Sequence, residues 1–459
     1  MSEKKLRRLP LAAAALVTCM GAHAEYQSPD GNFRMSGFGT LGAVKNGTDD
    51  AEFNYPGQGG GATKRGSLSP DSKVAVQGTY KFAPTVSGTA QVMTKYDAEG
   101  QYIPNIEWAF AKWQALPGLS LRAGRMGAPY FMISDFRDVG YANTTVRPNL
   151  DVYGQVPVSQ FQGADASYQM SIGASTVTAT LWAGDSKALF NSASVKAPTE
   201  VLIQGQIGLN IQAELSEGWS MRLGRSQGKL TLNSESNSNL RALASGQTIA
   251  GDSATSQGAA AAGALRRGQI AGGLGATGQV ILGQLNQVDA LVNPSGVNAT
   301  FTGFGLSYDQ DNWVFNGEYT KRKTDSFVTD TTGWYGTLGY RVEKFTPYIG
   351  LSKVVTNRRS ANPVTQLSGT GLDAYILTVQ GGVNQVLGVE KLDQKTTTLG
   401  VRWDATSNMA IKAQVDHIIK PVDSNGMFLI PDPATTTAQN FLNSKRTVNV
   451  LSVSVDFVF

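Results

Sequence analysis

Few residues in this sequence are equipped for covalent chemistry. The 459 residues include two histidines and one cysteine, and two of these three, Cys19 and His23, fall in a segment that reads as a removable leader. That leaves His417 as the only imidazole for a Ser–His–acid arrangement. The alternation of Met409, Ile411, Ala413 and Val415 sets His417 on the apolar row of a strand, which fits an interfacial side chain and not a general base. Asp49, Asp50 and Glu52 cluster in a polar loop, where they solvate the chain or bridge divalent cations weakly. No spacing of His, Cys and carboxylates matches a metal-ligand set. Gly273–Gly278 spells G-x-G-x-x-G, but that motif cradles phosphate only between a strand and a helix of a βαβ unit, and here it lies in an Ala/Gly/Ser-rich stretch. The expected catalytic, metal and cofactor inventory is therefore empty.

Fixed charge along polar strand faces is the richer signal, because rings of such side chains tune ion passage without bond making. Lys73, Gln77, Gln91, Lys95, Arg122, Gln204, Gln206, Arg222 and Arg402 fall on the polar phase of alternating segments, and Asp135 and Asp138 lie in the segment 127–160. Leu119–Arg125 recurs as Trp219–Arg225. Its first arginines, Arg122 and Arg222, take the polar phase. The second, Arg125 and Arg225, take the opposite one, and an arginine facing lipid near the midplane costs about 2–4 kcal/mol. A bulge at Gly124 and Gly224 that turns them inward, or a neighbouring protomer that pairs them, are the two ways out.

The elements that carry these side chains are strands. Val74, Val76, Tyr80 and Phe82 alternate with Lys73, Gln77 and Lys81, and Ile203, Ile207, Leu209 and Ile211 alternate with glutamines and Asn210. A period of two with one apolar face is a strand. Tight links at 83–85, 116–118, 215–218, 309–311, 342–344 and 405–407 alternate with long polar ones at 45–70, 127–160, 185–200, 233–297, 355–393 and 421–446. That asymmetry belongs to outer-membrane barrels. The phases and turns predict an all-β, transmembrane antiparallel β-barrel of about 16 strands, closed by the last (447–459) on the first (33–44), which satisfies both edges. Composition agrees: charged residues are 16%, mean hydropathy is −0.17, and no apolar run is long enough for a spanning helix.

Residues 1–24 carry Lys4, Lys5, Arg7 and Arg8, an apolar run and Ala22-His23-Ala24, the layout of a cleaved secretory signal. Removing it brings the formal charge of +4 to about +1, so the pI of 8.9 does not argue for a nucleic-acid partner. Residues 25–459 form the expected barrel domain.

The chain resembles the Gram-negative general porins. The resemblance rests on Phe33–Gly42, on Arg122-Ala123-Gly124-Arg125 ahead of a long third loop, and on an aromatic final residue, Phe459. It implies a sixteen-stranded homotrimer in the outer membrane, in contact with lipid and lipopolysaccharide, whose third loop folds into the lumen and narrows a passage for small hydrophilic solutes and ions. The acidic Pro-Glu-Phe-Gly-Gly type loop tip of well-known members is absent, so selectivity does not transfer with the resemblance. The expected constriction lies between Arg122 on the wall and Asp135 and Asp138 on the loop. The row Phe33, Met35, Gly37, Gly39 and Leu41 is partly small, as close packing between barrels requires. In 233–297, Leu265, Ile270, Leu274, Ile281, Leu285, Val288 and Leu291 recur near helical spacing, so the segment reads as a mobile low-complexity loop or as a partly helical lid over the mouth. The rivals to a general diffusion channel are a substrate-selective channel and, with only His417 to serve it, a barrel hydrolase.

Overall fold

A computed structural model describes residues 25–191, 198–233, 235–245, 263, 271–292, 294–358, 361–365, 372–388, 391–432 and 435–459. The expected leader, 1–24, and part of the segment 233–297 lie outside the described residues.

Sixteen long strands follow one another around a closed antiparallel sheet. They are β1 (Phe33–Asn46), β2 (Lys73–Ala83), β3 (Val86–Lys95), β4 (Asn105–Leu116), β5 (Leu119–Gly127), β6 (Gln160–Ile172), β7 (Ser175–Phe190) and β8 (Thr199–Glu214). The second half comprises β9 (Trp219–Asn233), β10 (Val297–Gln310), β11 (Trp313–Thr324), β12 (Asp330–Tyr340), β13 (Phe345–Arg358), β14 (Gln394–Thr406), β15 (Met409–Lys420) and β16 (Arg446–Val458). β16 pairs with β1 from Val450↔Asn46 to Val458↔Phe38. Two further backbone bonds, Gly37 N to Phe459 O at 2.6 Å and Phe459 N to Gly37 O at 2.9 Å, finish the seam. No long strand is left with an open edge, which lipid demands.

Alternation assigns the two faces. On β15 the buried Lys412, Gln414, Asp416 and Ile418 alternate with the exposed Ala413, Val415 and His417. Exposed Phe82, Trp113, Trp219, Trp313, Phe345 and Trp403 all lie beside short turns, and form the aromatic girdle of one membrane interface. Across the seam the glycines of β1 serve the chain itself. A Cβ on Gly37 would sit 2.3 Å from the Phe459 ring, and one on Gly39 would sit 2.3 Å from the Phe457 ring. The space over Gly37 and Gly39 is thus filled by the rings of Phe459 and Phe457.

Two register expectations need correction. The ladders run without a shift through Gly124 against β6 and through Gly224 against β10, so no bulge turns Arg125 or Arg225 inward. Arg225 is exposed on the outer face and donates to Thr302 Oγ1 at 3.4 Å. Arg125 donates to Gln160 Oε1. A bulge does interrupt β8 between Gln204 and Ile207, where Gly205 adopts φ +57°, a conformation that favours glycine. It reverses the phase above it: Gln206 stays buried inside, Gln204 is exposed, and Ile203 borders the lumen.

Helices occupy the outer mouth. α1 (Leu150–Tyr153) is a single turn inside the 127–160 loop, capped where Asn149 Oδ1 accepts from Asp151 N at 3.1 Å. α2 (Glu235–Ala244), α3 (Ala271–Val292) and α4 (Asp373–Gly388) pack together. Ile281, Leu285, Val288 and Val292 repeat at helical spacing and are buried, which gives α3 one apolar stripe. It meets Ile376, Val379 and Val383 of α4 in a shared core. Gly382 leaves room for Leu240 of α2, whose Cδ1 a Cβ there would approach to 2.7 Å. Part of 233–297 is therefore a packed helical lid. The Gly273–Gly278 motif lies wholly within α3, not at a strand–helix turn. α5 (Thr436–Leu442) closes the last long loop.

Candidate functional site

The 127–160 loop turns into the barrel, and wall residues grip it nearly all the way round. It leaves β5 through Gly127, Ala128 and Pro129. Arg222 of β9, buried at 7% exposure, donates to the carbonyls of Pro129 and, at 3.1 Å, Tyr130. Glu318 of β11 accepts from Met132 N at 2.8 Å, from Tyr335 Oη at 3.1 Å and from Tyr153 Oη. These carbonyls and amides lack helix or sheet partners, so the lumen wall supplies the hydrogen bonds that a buried backbone requires.

Further along, Asp138 lies in a basic nest. Lys73 reaches it at 3.0 Å, Lys95 at 3.5 Å and Arg137 at 3.7 Å, and Lys95 also meets Glu107 at 3.1 Å. Burial works against ionisation, yet Lys95, Lys73 and Arg137 hold the Asp138 carboxyl well below the usual carboxylate range. Arg402 of β14 donates to Tyr141 O at 2.6 Å and Asn143 O at 2.9 Å, and pairs with Asp404 at 2.7 Å.

Lys412 and Asp456 are both fully buried, 3.0 Å apart. An ammonium has three protons to place, and the other two go to Gly140 O at 2.7 Å and Thr145 O at 3.0 Å. Asp456 also accepts from Thr40 Oγ1 at 2.6 Å. Arg147 is held the same way, by Asp71 at 2.6 Å, Asp416 at 3.1 Å and Ser452 Oγ at 2.6 Å. Burial opposes its charge, and Asp71 and Asp416 more than restore it, so the guanidinium stays protonated. A buried pair is retained cheaply only when its donors are satisfied; all three of the Lys412 ammonium are, and every guanidinium nitrogen of Arg147 donates at least once. Asp151 differs. Ser352 Oγ and Gln394 Nε2 donate to it at 2.7 and 2.6 Å, but burial dominates and pushes its carboxyl up to about 6.

The expected site residues are distributed accordingly. Lys73, Lys95 and Asp138 come together. Gln91 donates to Gln77 at 3.0 Å on the same wall. Arg222 and Arg402 each grip the loop. Arg122 pairs with neither Asp135 nor Asp138. Its carboxylate is Asp165 at 2.6 Å, directly opposite it in the β5–β6 register, and Asp135 is exposed nearby. Inward phase on adjacent strands was the signal for that pair. Arg147, Asp151, Glu318, Lys412 and Asp456 were not among the expected site residues, although Lys412 and Asp456 stand on polar strand phases. His417 is exposed on the outer face, with Nδ1 2.7 Å from Asn449 Oδ1.

The loop divides the lumen. Below it an inner chamber of about 590 Å³ runs from Leu150 and Asp151 down to the Arg341–Asp309 pair (2.7 Å) and Arg402. Above it a vestibule of about 550 Å³ is bordered by Gln155 and Val156 of the loop and by Leu243 and Val386 of the lid. The buried α1 stands between the two.

A closed sixteen-stranded barrel, apolar outside and crossed by an infolded loop, defines an outer-membrane channel protein of the porin architecture, at home in the Gram-negative outer membrane. No family model matches the chain, and no curated protein matches it. Among solved structures, similar ones include a Salmonella typhi OmpF complex with daunomycin (14% identity, TM-score 0.49, covering 95% of this chain and 100% of that one). Others are the DcaP channel of Acinetobacter baumannii (8%, TM-score 0.48, 95% and 99%) and an anion-selective porin from Comamonas acidovorans (10%, TM-score 0.46, 93% and 99%).

Proposed function

We propose that the protein is a passive diffusion channel for small hydrophilic solutes and ions, with selectivity set by the charges around the infolded loop. The observation that carries this reading is the inner chamber, whose walls bear Asp151, Arg341, Arg402 and Asp416. Charges in a narrow, partly desolvated passage act more strongly than in bulk water. No step of this function calls for an enzyme, and the outward His417 offers the lumen no base. The test is a planar bilayer in unequal salt. Asp135→Asn with Asp138→Asn should shift the reversal potential toward anions, and Arg122→Gln, which leaves Asp165 without its cation, toward cations. Both shifts should shrink from 0.1 M to 1 M salt, where the Debye length falls from about 10 to 3 Å. Unchanged potentials in all variants would show that the loop does not control permeation.

A substrate-selective channel is the second reading, and the lidded vestibule favours it. We also propose a homotrimer, from the family resemblance. Cross-linking in mild detergent should give a discrete trimer band, and a monomer under every mild condition would count against it.

A further inference from the structure

The inner face of a water-filled barrel is polar, and around β14, β15, β16 and β1 this one is: Thr396, Gln414, Ser452 and Thr40 point inward there. One sector departs. Toward the outer mouth β8, β9 and β10 turn Val201, Ile203, Leu230, Leu232 and Phe301 into the vestibule. Tyr130 and Val156 of the infolded loop and Leu243 and Val386 of the lid also line it, and nearly all of these belong to one continuous apolar cluster. These side chains do more than seat the lid, because they border an open volume of about 550 Å³. That size holds an organic molecule of one or two rings, and apolar walls with a few placed polar groups are what such a molecule requires. Asn191, Gln227 and Asn425 border it with amides, whereas Gln155 and Gln206 direct theirs to Asp151, Thr320 and Ser186. Among the described lining residues Arg322 carries the one formal charge, its guanidinium donating to Gln155 O at 2.6 Å and Thr329 O at 3.0 Å.

We propose that the vestibule is a binding site for organic solutes with an apolar ring body and a polar group, held before they cross to the charged inner chamber. This rests on the channel reading above and names the solute class. Apolar contact captures the ring from dilute solution. The adjoining polar chamber then favours release, since a site on a path must bind weakly enough to let go.

The test uses the full-length barrel in a planar bilayer, with 2-naphthoate added on the side of the long loops and glucose as the polar control. Naphthoate should interrupt the ion current at concentrations where glucose has no effect. Leu230→Asn should raise the half-blocking concentration about tenfold, the scale of losing one buried aliphatic contact. Val201→Thr, nearly isosteric and the milder change, should raise it about threefold. Equilibrium dialysis of naphthoate against the detergent-solubilised barrel reads occupancy without any current. Block and binding unchanged in both variants, or glucose blocking equally well, would overturn the site. Binding sensitive to Leu230→Asn in a barrel that carries no current would uphold the site and overturn the channel reading instead.

Discussion

Asp138 and Asp151 lie on one loop, 13 positions apart in sequence, and their surroundings give them opposite acidities. Lysines and an arginine crowd Asp138, so it stays charged through mildly acid pH. Hydroxyl and amide donors meet Asp151 in place of cations, and burial lifts its carboxyl to about 6 from an ordinary 3.8. Its charged form is therefore the one the fold disfavours. Stability is greatest below about 3.8, falls as pH rises toward 6, and is level above that. Asp151→Asn should stabilise the barrel at pH 7 by about 2–3 kcal/mol, read as resistance to urea in detergent, and should gain nothing at pH 4. The same carboxylate faces the inner chamber, so ion selectivity should move toward anions between pH 7 and pH 5. That inflection should vanish in Asp151→Asn. A variant that keeps the inflection would assign it to another group.

At the scale of elements, the three lid helices and the infolded loop share one apolar core, which ties the outer mouth to the loop inside the lumen. Val379 of α4 is fully buried there, and a charge at that position is costly. Val379→Asp should part the helices and raise both the conductance and its fluctuations, while the strands keep the barrel heat-modifiable on gels. Traces identical to those of the unaltered protein would mean that the lid does not govern entry. The strands were legible in sequence because lipid outside and water inside impose a period of two, visible as Lys412 inward and His417 outward. The lid was half legible, since Ile281, Leu285 and Val288 keep helical spacing inside a low-complexity composition. The loop's anchors were not. Arg147 meets Asp71 and Asp416, 76 and 269 positions away, and such contacts leave no local pattern. One glycine, Gly205, inverted the phase assigned to Gln204, because a single extra residue in a strand reverses every side chain beyond it.

For the whole molecule, closure depends on the seam where Phe457 and Phe459 lie against Gly39 and Gly37. Any β-carbon there collides with a ring at 2.3 Å, so Gly39→Val should push Phe457 aside and weaken the β16–β1 pairing. Folding yield in detergent should fall severalfold, and the band that resists heating should diminish. Normal yield would show that the rings relocate freely. The seam also imposes a sequence of events in time. Thr40 and Asp456, which bond across it, are 416 positions apart, so the strand that needs a partner first is completed long before that partner exists. Contacts this distant in sequence are slow to form, and until they do β1 carries bare notches and unpaired amides that hydrocarbon will not accept. Waiting is built into such a chain: β1 finds β2 on one edge early, and its other edge stays open until the last strand has been made.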